Sequence, residues 1–459
     1  MKFKKEYLEI DKIDGPLVFV SGIDDVFYGE IVEIDVKNEK RKGKVIRIED
    51  NHVVIQVFEG TAGLSNKNAS IYFTGKAFEL NLNEDILGRT FNGVGDPIDK
   101  GGKIYSDSSY NINGRPINPV AREYPKNYIE TGISAIDTLT TLIRGQKLPI
   151  FSGNGVPHNQ LADQIVRQAN ISSEHQEKFA VVFAAIGVKY DDAAFFKKSF
   201  EDSGASEKVV MFVNLANDPI VERISTPRCA LTAAEYLAFE KDYHVLVVMT
   251  DITSYCEALR EISSSREEVP SRKGYPGYLY SDLASLYERA GMLNSRNGSI
   301  TLLPILTMPN NDISHPIPDL TGYITEGQLV LSKALIQSNI YPPIEVLPSL
   351  SRLMKDGIGE GYTREDHPDV SNQLFASYSK VKEIRDLAQI IGENDLSEMD
   401  QMYMKFGRAF EEEFLSQGRE EFRSIDESLN LSWKILSILP ASELDRLNNE
   451  LIEKHYIKK

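Results

Sequence analysis

A glycine-containing turn between an apolar segment and an amphipathic segment is the first candidate for chemistry in this chain. Residues 147–165 read KLPIFSGNGVPHNQLADQI, which predicts a short strand, a tight turn and a helix. That order is typical of a phosphate-binding loop, whose pattern G-x-x-x-x-G-K-[ST] uses backbone N–H groups, a lysine and a hydroxyl to hold a nucleotide and Mg²⁺. In this register the altered loop carries Ser152, Gly155, Pro157, His158 and Asn159.

Three of these residues remove a function that the pattern needs. Pro157, at the second glycine, has no N–H to offer a phosphate. His158, at the lysine, is shorter, and histidine is mostly uncharged at neutral pH. Asn159 presents an amide where Mg²⁺ takes a hydroxyl. We therefore expect the framework of a nucleotide-binding domain that does not hydrolyse ATP by itself, with no metal site and no cofactor bound by this chain alone.

A second apolar segment ends in a carboxylate. Residues 244–251 read HVLVVMTD, so Asp251 follows a buried strand and lies at the carboxyl end of the sheet. In a working nucleotide site such an aspartate helps to hold Mg²⁺. An apolar strand that ends in aspartate is mostly structural when it stands alone, and its pairing with the altered loop makes it a candidate site residue.

Alternating strands and helices must position these residues. Continuous apolar runs suit the buried strands of a parallel sheet, and they occur at Ala180–Ala185, Val209–Leu215, Val245–Thr250 and Ile300–Leu306. Helices lie between them, such as Arg228–Lys241, where Leu231, Ala234, Leu237 and Ala238 share one face. This pattern predicts a doubly wound α/β domain.

Different patterns flank this region. Short alternating strands at Glu30–Val36, Gly43–Ile48 and His52–Phe58 predict a small closed β-barrel over residues 1–75. Residues 76–130 hold many Gly, Pro and Asn and predict a connection that wraps the next domain. Apolar residues at helical spacing predict a C-terminal helical domain, with a stop at Gly418 and a last helix opening near Ser442. The predicted domains are 1–75, 76–362 and 363–459.

Composition excludes several classes of function. The formal net charge of −17 disfavours nucleic-acid binding. Two cysteines, Cys229 and Cys256, make no disulfide framework and fit a reducing cytosol. The first residues lack the apolar core of a signal peptide, and apolar runs such as Ala180–Ile186 are too short to span a bilayer. Any membrane association is therefore expected to come through partners.

Four segments carry a resemblance to a known family. They read TGISAID at 131–137, VPSRKGYPGYLYSDLASLYERAG at 269–291, PIPDLTGYITEGQLVLS at 316–332 and PPIEVLPSLSRLM at 342–354. Together they resemble the alpha/beta family of rotary ATPases, specifically the non-catalytic B subunits of the V-type and archaeal-type enzymes. The resemblance covers essentially the whole chain and implies a barrel, a RecA-like central domain and a helical bundle.

The resemblance implies a division of roles between a catalytic and a non-catalytic subunit. The catalytic subunit has an intact Gly-Lys-Thr and a Gly-Glu-Arg segment, whereas this chain has the altered loop and Val188 near the position of that glutamate. Arg352 matches the family's arginine finger, which reaches the γ-phosphate held by the neighbouring subunit. Ser349 is a candidate for nucleotide binding, but we favour a role in shaping the loop. Glu345 replaces the Asp that the family signature usually carries.

The resemblance further implies partners and place. It predicts an alternating A3B3 ring with a catalytic A subunit, central and peripheral stalk subunits, and an indirect link to a membrane sector that moves H⁺ or Na⁺. ATP or ADP with Mg²⁺ would lie at the interface, held mainly by the partner, on the cytoplasmic side of a bacterial plasma membrane. The aromatic-rich loop 272–280, with its Tyr and Arg residues, could stack a purine or pack a subunit contact, and we favour the contact. Two rivals stay open: a self-sufficient ring NTPase, such as an export ATPase or a helicase, and a purely structural ring subunit.

Overall fold

The computed structural model describes residues 5–7, 10–23, 25–36, 39–49, 52–65, 69–106, 108–114, 117–171, 177–266 and 268–457. The strands are β1 (Lys5–Tyr7), β2 (Lys12–Asp14), β3 (Leu17–Ser21), β4 (Glu30–Val36), β5 (Glu39–Glu49), β6 (His52–Val57), β7 (Ala69–Ala77), β8 (Glu79–Asn81), β9 (Thr90–Asn92), β10 (Ser109–Asn111), β11 (Arg122–Glu123), β12 (Tyr128–Ile129), β13 (Leu142–Ile143), β14 (Ile150–Ser152), β15 (Phe179–Val188), β16 (Val209–Leu215), β17 (His244–Thr250), β18 (Gly291–Leu293), β19 (Ser299–Thr307), β20 (Gly327–Leu331) and β21 (Ile344–Ser351).

The α-helices are α1 (Ser134–Leu139), α2 (His158–Gln168), α3 (Tyr190–Asp202), α4 (Ile220–Glu235), α5 (Ile252–Ser265), α6 (Leu279–Tyr287), α7 (Pro316–Ile324), α8 (Lys333–Gln337), α9 (His367–Ile391), α10 (Glu398–Ala409), α11 (Ile425–Leu436) and α12 (Asn449–His455). Single 3₁₀ turns lie at Glu84–Ile86, Pro119–Ala121, Ala205–Lys208, Arg272–Gly274, Pro309–Asn311, Met354–Asp356, Glu393–Asp395 and Ala441–Glu443. Helices α4 and α10 continue into π-helical turns at Tyr236–Glu240 and Phe410–Leu415.

The N-terminal domain is a seven-stranded antiparallel sheet in the order β1-β7-β4-β5-β6-β3-β2, and it encloses its own apolar core. Along β4 every second residue is buried, including Val32 and Ile34 at 0% exposure. Because successive side chains of a strand point to opposite faces, this alternation builds one core face. The predicted β-barrel is confirmed.

The segment after the barrel contributes short strands to the central domain. Strand β9 pairs in parallel with β16 and so extends the central sheet, while β8 pairs with β10, β11 with β18 and β12 with β13. The Gly-, Pro- and Asn-rich region therefore tethers the barrel to the central sheet through backbone hydrogen bonds.

The central domain is a sheet whose main path runs β21-β20-β14-β19-β17-β15-β16-β9, parallel from β20 to β9 with β21 antiparallel at one edge. Alternate residues of β15 enter two cores: Val181 and Phe183 face one, and Ala180 and Val182 face the other. The predicted α/β domain with a parallel sheet is confirmed. Strand β14 lies inside the sheet, so the loop that follows it opens at the carboxyl ends of the strands.

One predicted helix start in the central domain is wrong. Helix α4 begins at Ile220 and not at Arg228, with Pro227 inside it. A proline inside a helix removes one backbone hydrogen bond, but Val221 and Ala230 are both buried on this helix. Burial on the two sides of Pro227 therefore outweighs the local signal.

The C-terminal domain is helical, as predicted. Its core includes Tyr378 of α9 and the stacked rings of Phe406, Phe410 and Phe414. The last helix begins at Asn449 and not near Ser442, because the Asn448 side chain accepts a hydrogen bond from Glu450 N and caps it. Helix α11, which opens with a capping box at Ser424, was not predicted.

Candidate functional site: an altered phosphate loop and a distant arginine

The altered loop joins β14 to α2 in the layout that the sequence predicts. Gly155 lies in the left-handed region with φ of 79°, where a side chain would be strained. Gly153 is packed so closely that an added Cβ would lie 2.3 Å from Asn311 Oδ1. The side chain of Asn311, which the sequence did not single out, therefore closes over the loop.

Three backbone N–H groups of this loop donate hydrogen bonds within the chain. Asn154 N donates to Asn311 Oδ1 at 3.3 Å, and Val156 N donates to Gly153 O at 3.2 Å. His158 N donates to Val156 O at 2.8 Å, and Pro157 has no N–H. A phosphate-binding loop needs its N–H donors to point at the ligand, so these three groups and Pro157 do not serve a phosphate.

The side chains of the loop are also turned towards the protein. Ser152 Oγ lies 3.1 Å from His158 Nδ1, and Ser152 is fully buried. The Oδ1 atom of Asn159 is buried and has no hydrogen-bond partner among the described residues. These three positions therefore contain a hydrogen-bonded serine–histidine pair and an inward-facing amide, where a phosphate-binding loop would hold phosphates and Mg²⁺.

Asp251 lies at the carboxyl end of β17, close to the loop as predicted, but its carboxylate is occupied. Oδ1 accepts hydrogen bonds from Thr253 N at 2.7 Å and Thr307 N at 3.2 Å, and Oδ2 accepts from Thr307 Oγ1 at 2.5 Å. Thr307 is also the register partner of Ser152 in the β14–β19 ladder, so it stands between the two candidate residues. Asp251 thus caps α5 and links two strands.

Val188, the last residue of β15, is 8% exposed and offers no group that could orient water. Next to it, Gly187 N and Arg223 Nε both donate to Asn214 Oδ1, at 3.1 and 3.0 Å. Burial lowers the pKa of Arg223. This end of β15 therefore contains a structural hydrogen-bond network and no carboxylate at residue 188.

The residues present do not fit Mg²⁺–ATP in the manner of a phosphate-binding loop. The loop lacks a lysine, three of its N–H groups donate within the chain, and the carboxylate of Asp251 is bound within the chain. We therefore derive no catalytic step at the chain's own loop.

Arg352 lies at the opposite end of the sheet. Its backbone N donates to Glu326 O at 2.9 Å, and Glu326 N donates to Lys147 O at 3.1 Å, so Arg352 is level with the start of β14. The loop begins after Ser152, and five residues of strand at ~3.3 Å each place it roughly 16 Å away along the sheet. Strand β20 separates β21 from β14 and adds sideways distance. Arg352 therefore cannot serve the altered loop of its own chain.

The guanidinium of Arg352 is exposed and makes few contacts within the chain. Nη1 donates to Thr325 O at 3.3 Å, and among the described residues it forms no salt bridge. Arg289 of the same domain is different, because it donates to both carboxylate oxygens of Glu235. An unpaired cation at an edge strand is available to a group outside the chain.

Ser349 is 4% exposed, and its hydroxyl bonds within the chain. It donates to Glu345 O at 2.6 Å and accepts from Val330 N at 2.9 Å, across the irregular register between β20 and β21. The Glu345 carboxylate pairs with Lys382 of α9. Both residues shape the end of β21, and a nucleotide contact for Ser349 stays a prediction.

The loop 272–280 divides into a buried and an exposed part. Tyr275 is 2% exposed and donates to Glu257, while Tyr280 is 50% exposed. Arg272 donates to Ser314 O at 3.1 Å, which ties this loop to the start of α7. The loop presents an aromatic surface next to the sheet rather than a pocket at the altered loop.

Comparison with known proteins identifies the family. Residues 132–351 match the ATP synthase alpha/beta family, nucleotide-binding domain; residues 356–456 match the C-terminal domain of V and A type ATP synthase; and residues 10–75 match the family's beta-barrel domain. The V-type ATP synthase beta chain 2 of Clostridium tetani (strain Massachusetts / E88) is 67% identical over 99% of each chain. This chain belongs to the ATP synthase alpha/beta family.

Further relatives place the chain within the family. The B subunit of the A-type ATP synthase of Aeropyrum pernix is 58% identical over 99% of this chain and 98% of that one. A solved ATP synthase subunit, NeqB from Nanoarcheaum equitans, superposes with a TM-score of 0.74 at 44% identity, covering 92% of this chain and 98% of that one. The predicted resemblance to the B subunits of the V-type and archaeal-type enzymes is confirmed, and the chain is a rotary ATPase subunit with a central domain of the nucleotide-binding type. In the described part of the chain, every helix is too short or too polar to cross a bilayer.

Proposed function

We propose that this chain is the non-catalytic, regulatory B subunit of a V-type or archaeal-type rotary ATPase. It alternates with a catalytic A subunit in a ring that couples ATP hydrolysis or synthesis to H⁺ or Na⁺ transport, and it supplies Arg352 to the neighbour's nucleotide site. The observation that carries the proposal is the position of Arg352: exposed, without a salt bridge among the described residues, and at the end of the sheet remote from its own altered loop.

The chemistry of a guanidinium suits this role. It spreads several donors over the equatorial oxygens of a transferring phosphoryl group and offsets the charge that develops there. An arginine finger supplied by a neighbouring subunit can raise kcat about 10³- to 10⁵-fold. In this proposal ATP or ADP and Mg²⁺ are held mainly by the catalytic subunit, because the loop of this chain lacks the lysine and the hydroxyl that would hold them.

The three domains suit three kinds of contact within such a complex. The barrels form a crown, the central domains frame the nucleotide sites with loop 272–280 packed between subunits, and the helical domains face a central stalk. Peripheral stalk subunits complete the assembly, and a separate membrane sector carries the ions. The complex would lie on the cytoplasmic side of a bacterial plasma membrane.

Replacing Arg352 in a reconstituted ring tests the proposal. Arg352→Ala should leave assembly intact, because the side chain makes one hydrogen bond, and should lower kcat about 10³-fold or more. Arg352→Lys should recover part of the loss, since lysine keeps the charge without the planar fork. The matched control is Arg296→Ala, which removes an exposed arginine whose ion pair to Glu240 is 4.0 Å long.

Two results would favour the rival functions. Wild-type turnover by the Arg352→Ala ring would make this chain a structural subunit. Sustained ATP hydrolysis by the purified chain, at the rate of the complex, would make it a self-sufficient NTPase. Copurification with a larger chain that carries an intact Gly-Lys-Thr loop would support the proposed ring.

A further inference from the structure

The side chain of a buried glutamine donates a hydrogen bond to the same backbone oxygen that accepts one from Arg352 N. The carbonyl of Glu326 accepts a hydrogen bond from Arg352 N at 2.9 Å and from Gln146 Nε2 at 3.1 Å. Gln146 is 0% exposed and lies just before β14. A carbonyl oxygen has two lone pairs, so this one is fully used by the two donors.

The side chain of Gln146 has no freedom to rotate. Its Oε1 accepts from Ile143 N at 3.0 Å, and Nε2 also donates to Ser351 Oγ at 2.8 Å. Ser351 Oγ in turn donates to Thr141 O at 3.0 Å. Since Oε1 has a donor and both Nε2 hydrogens have acceptors, the amide orientation is determined. Gln146 therefore links the backbone carbonyl that accepts from Arg352 N to the side chain of Ser351, the residue before Arg352.

Glu326 is itself anchored at its other end. Its Oε2 accepts from Lys147 N at 2.8 Å, and its Oε1 lies 2.7 Å from Lys147 Nζ. Lys147 is 5% exposed, so this ion pair is largely removed from water. The carbonyl that receives Arg352 N is therefore fixed by a charged pair, a glutamine and the sheet.

We propose that Gln146 is a positioning residue for Arg352: it fixes the end of β21 so that the guanidinium is aimed out of the subunit. This inference rests on the proposed function, because it gives Arg352 a target in the neighbour. The guanidinium makes one hydrogen bond, to Thr325 O. Its position therefore depends mainly on the position of the Arg352 backbone. A displacement of about 1 Å at a reacting group can cost roughly 10²-fold in rate.

Gln146→Leu in the reconstituted ring tests this, because leucine keeps the volume and removes both donors. We expect kcat to fall about 10- to 100-fold while KM for ATP changes less than about threefold. The chain offers a closely matched control in Gln373, which is 2% exposed. Gln373 Nε2 donates to Ser377 Oγ and Glu443 O, and its Oε1 accepts from Arg446 N. Gln373→Leu removes the same kinds of hydrogen bond in the helical domain and should leave kcat within about twofold.

A double-mutant cycle separates positioning from general destabilisation. In an Arg352→Ala ring, Gln146→Leu should lower kcat by less than about twofold, since there is no finger left to aim. An equal fold loss in both backgrounds, or wild-type kcat for Gln146→Leu alone, would overturn the inference and leave the finger in place. Wild-type kcat for Arg352→Ala alone would overturn the proposed function and the inference with it.

A milder variant covers the case in which the Gln146→Leu ring does not assemble. Ser351→Ala removes one acceptor of the glutamine and one donor to Thr141 O. It should lower kcat about 3- to 10-fold, again without further loss in the Arg352→Ala background. An unchanged kcat for an assembled Ser351→Ala ring would overturn the inference.

Discussion

The carboxylate of Asp366 holds the start of α9 against α11, and Asp366→Ala should destabilise the helical domain. Asp366 is 0% exposed and accepts from Arg364 Nε at 2.6 Å, Arg364 Nη2 at 2.9 Å and Trp433 Nε1 at 2.6 Å. Trp433 is the only tryptophan in the sequence and is 2% exposed. Its fluorescence therefore reports this contact directly.

The magnitude follows from what the substitution leaves behind. The indole N–H becomes a buried donor without a partner, which costs about 1–3 kcal/mol. Arg364 loses its carboxylate, but it is 22% exposed and keeps a 2.7 Å bond to Asn430 Oδ1, so we add about 1 kcal/mol. We expect a loss of about 2–4 kcal/mol in the free energy of unfolding.

The pH dependence has a definite sign. Burial opposes ionisation of Asp366, but hydrogen bonds from Arg364 and Trp433 outweigh it and lower its pKa. A lowered carboxyl pKa contributes stability above the unfolded value of about 3.9, and this is lost as the pH falls through the folded pKa. The difference between wild type and Asp366→Ala should therefore shrink below about pH 4.

Urea unfolding followed by Trp433 fluorescence measures both effects. The control is Glu365→Ala, which breaks an exposed pair with Lys454 (53% and 60% exposed) and should cost less than about 0.5 kcal/mol. A loss below about 1 kcal/mol for Asp366→Ala, or a loss equal to that of Glu365→Ala, would refute the reasoning.

Two other predictions concern the central domain. Burial, and then the carboxylates of Asp218, Glu59 and Asp96, raise the pKa of Glu222 to about 7. A raised carboxyl pKa contributes stability at low pH that is lost as the pH rises through the folded value, so Glu222→Gln should raise Tm more at pH 8 than at pH 4; an equal shift at both would contradict this. Under the proposed function, Val188 lies near the position where a catalytic subunit has a water-orienting carboxylate, so restoring Gly-Lys-Thr at 157–159 should still give no ATP turnover by the isolated chain; turnover measured with purified protein would refute it.

Local features of the sequence predicted the architecture well. Alternation predicted β4, and apolar runs predicted β15, β16, β17 and β19, because strand periodicity and continuous burial leave direct marks in residue order. Helix α4 and the last helix were placed wrongly at their starts. There burial on both sides of Pro227 and the Asn448 cap decided the boundaries.

The sequence by itself determined which chemistry the altered loop lacks, because an absent N–H, lysine or hydroxyl is a property of residue type. Only the tertiary structure decided what the remaining groups do. Asn311 closes the loop, and Gln146 braces Ser351, which is 205 residues further along the chain. Such pairings depend on which strands lie side by side. The same strand order places Arg352 at the far end of the sheet from its own loop, where its guanidinium is exposed and forms no salt bridge among the described residues.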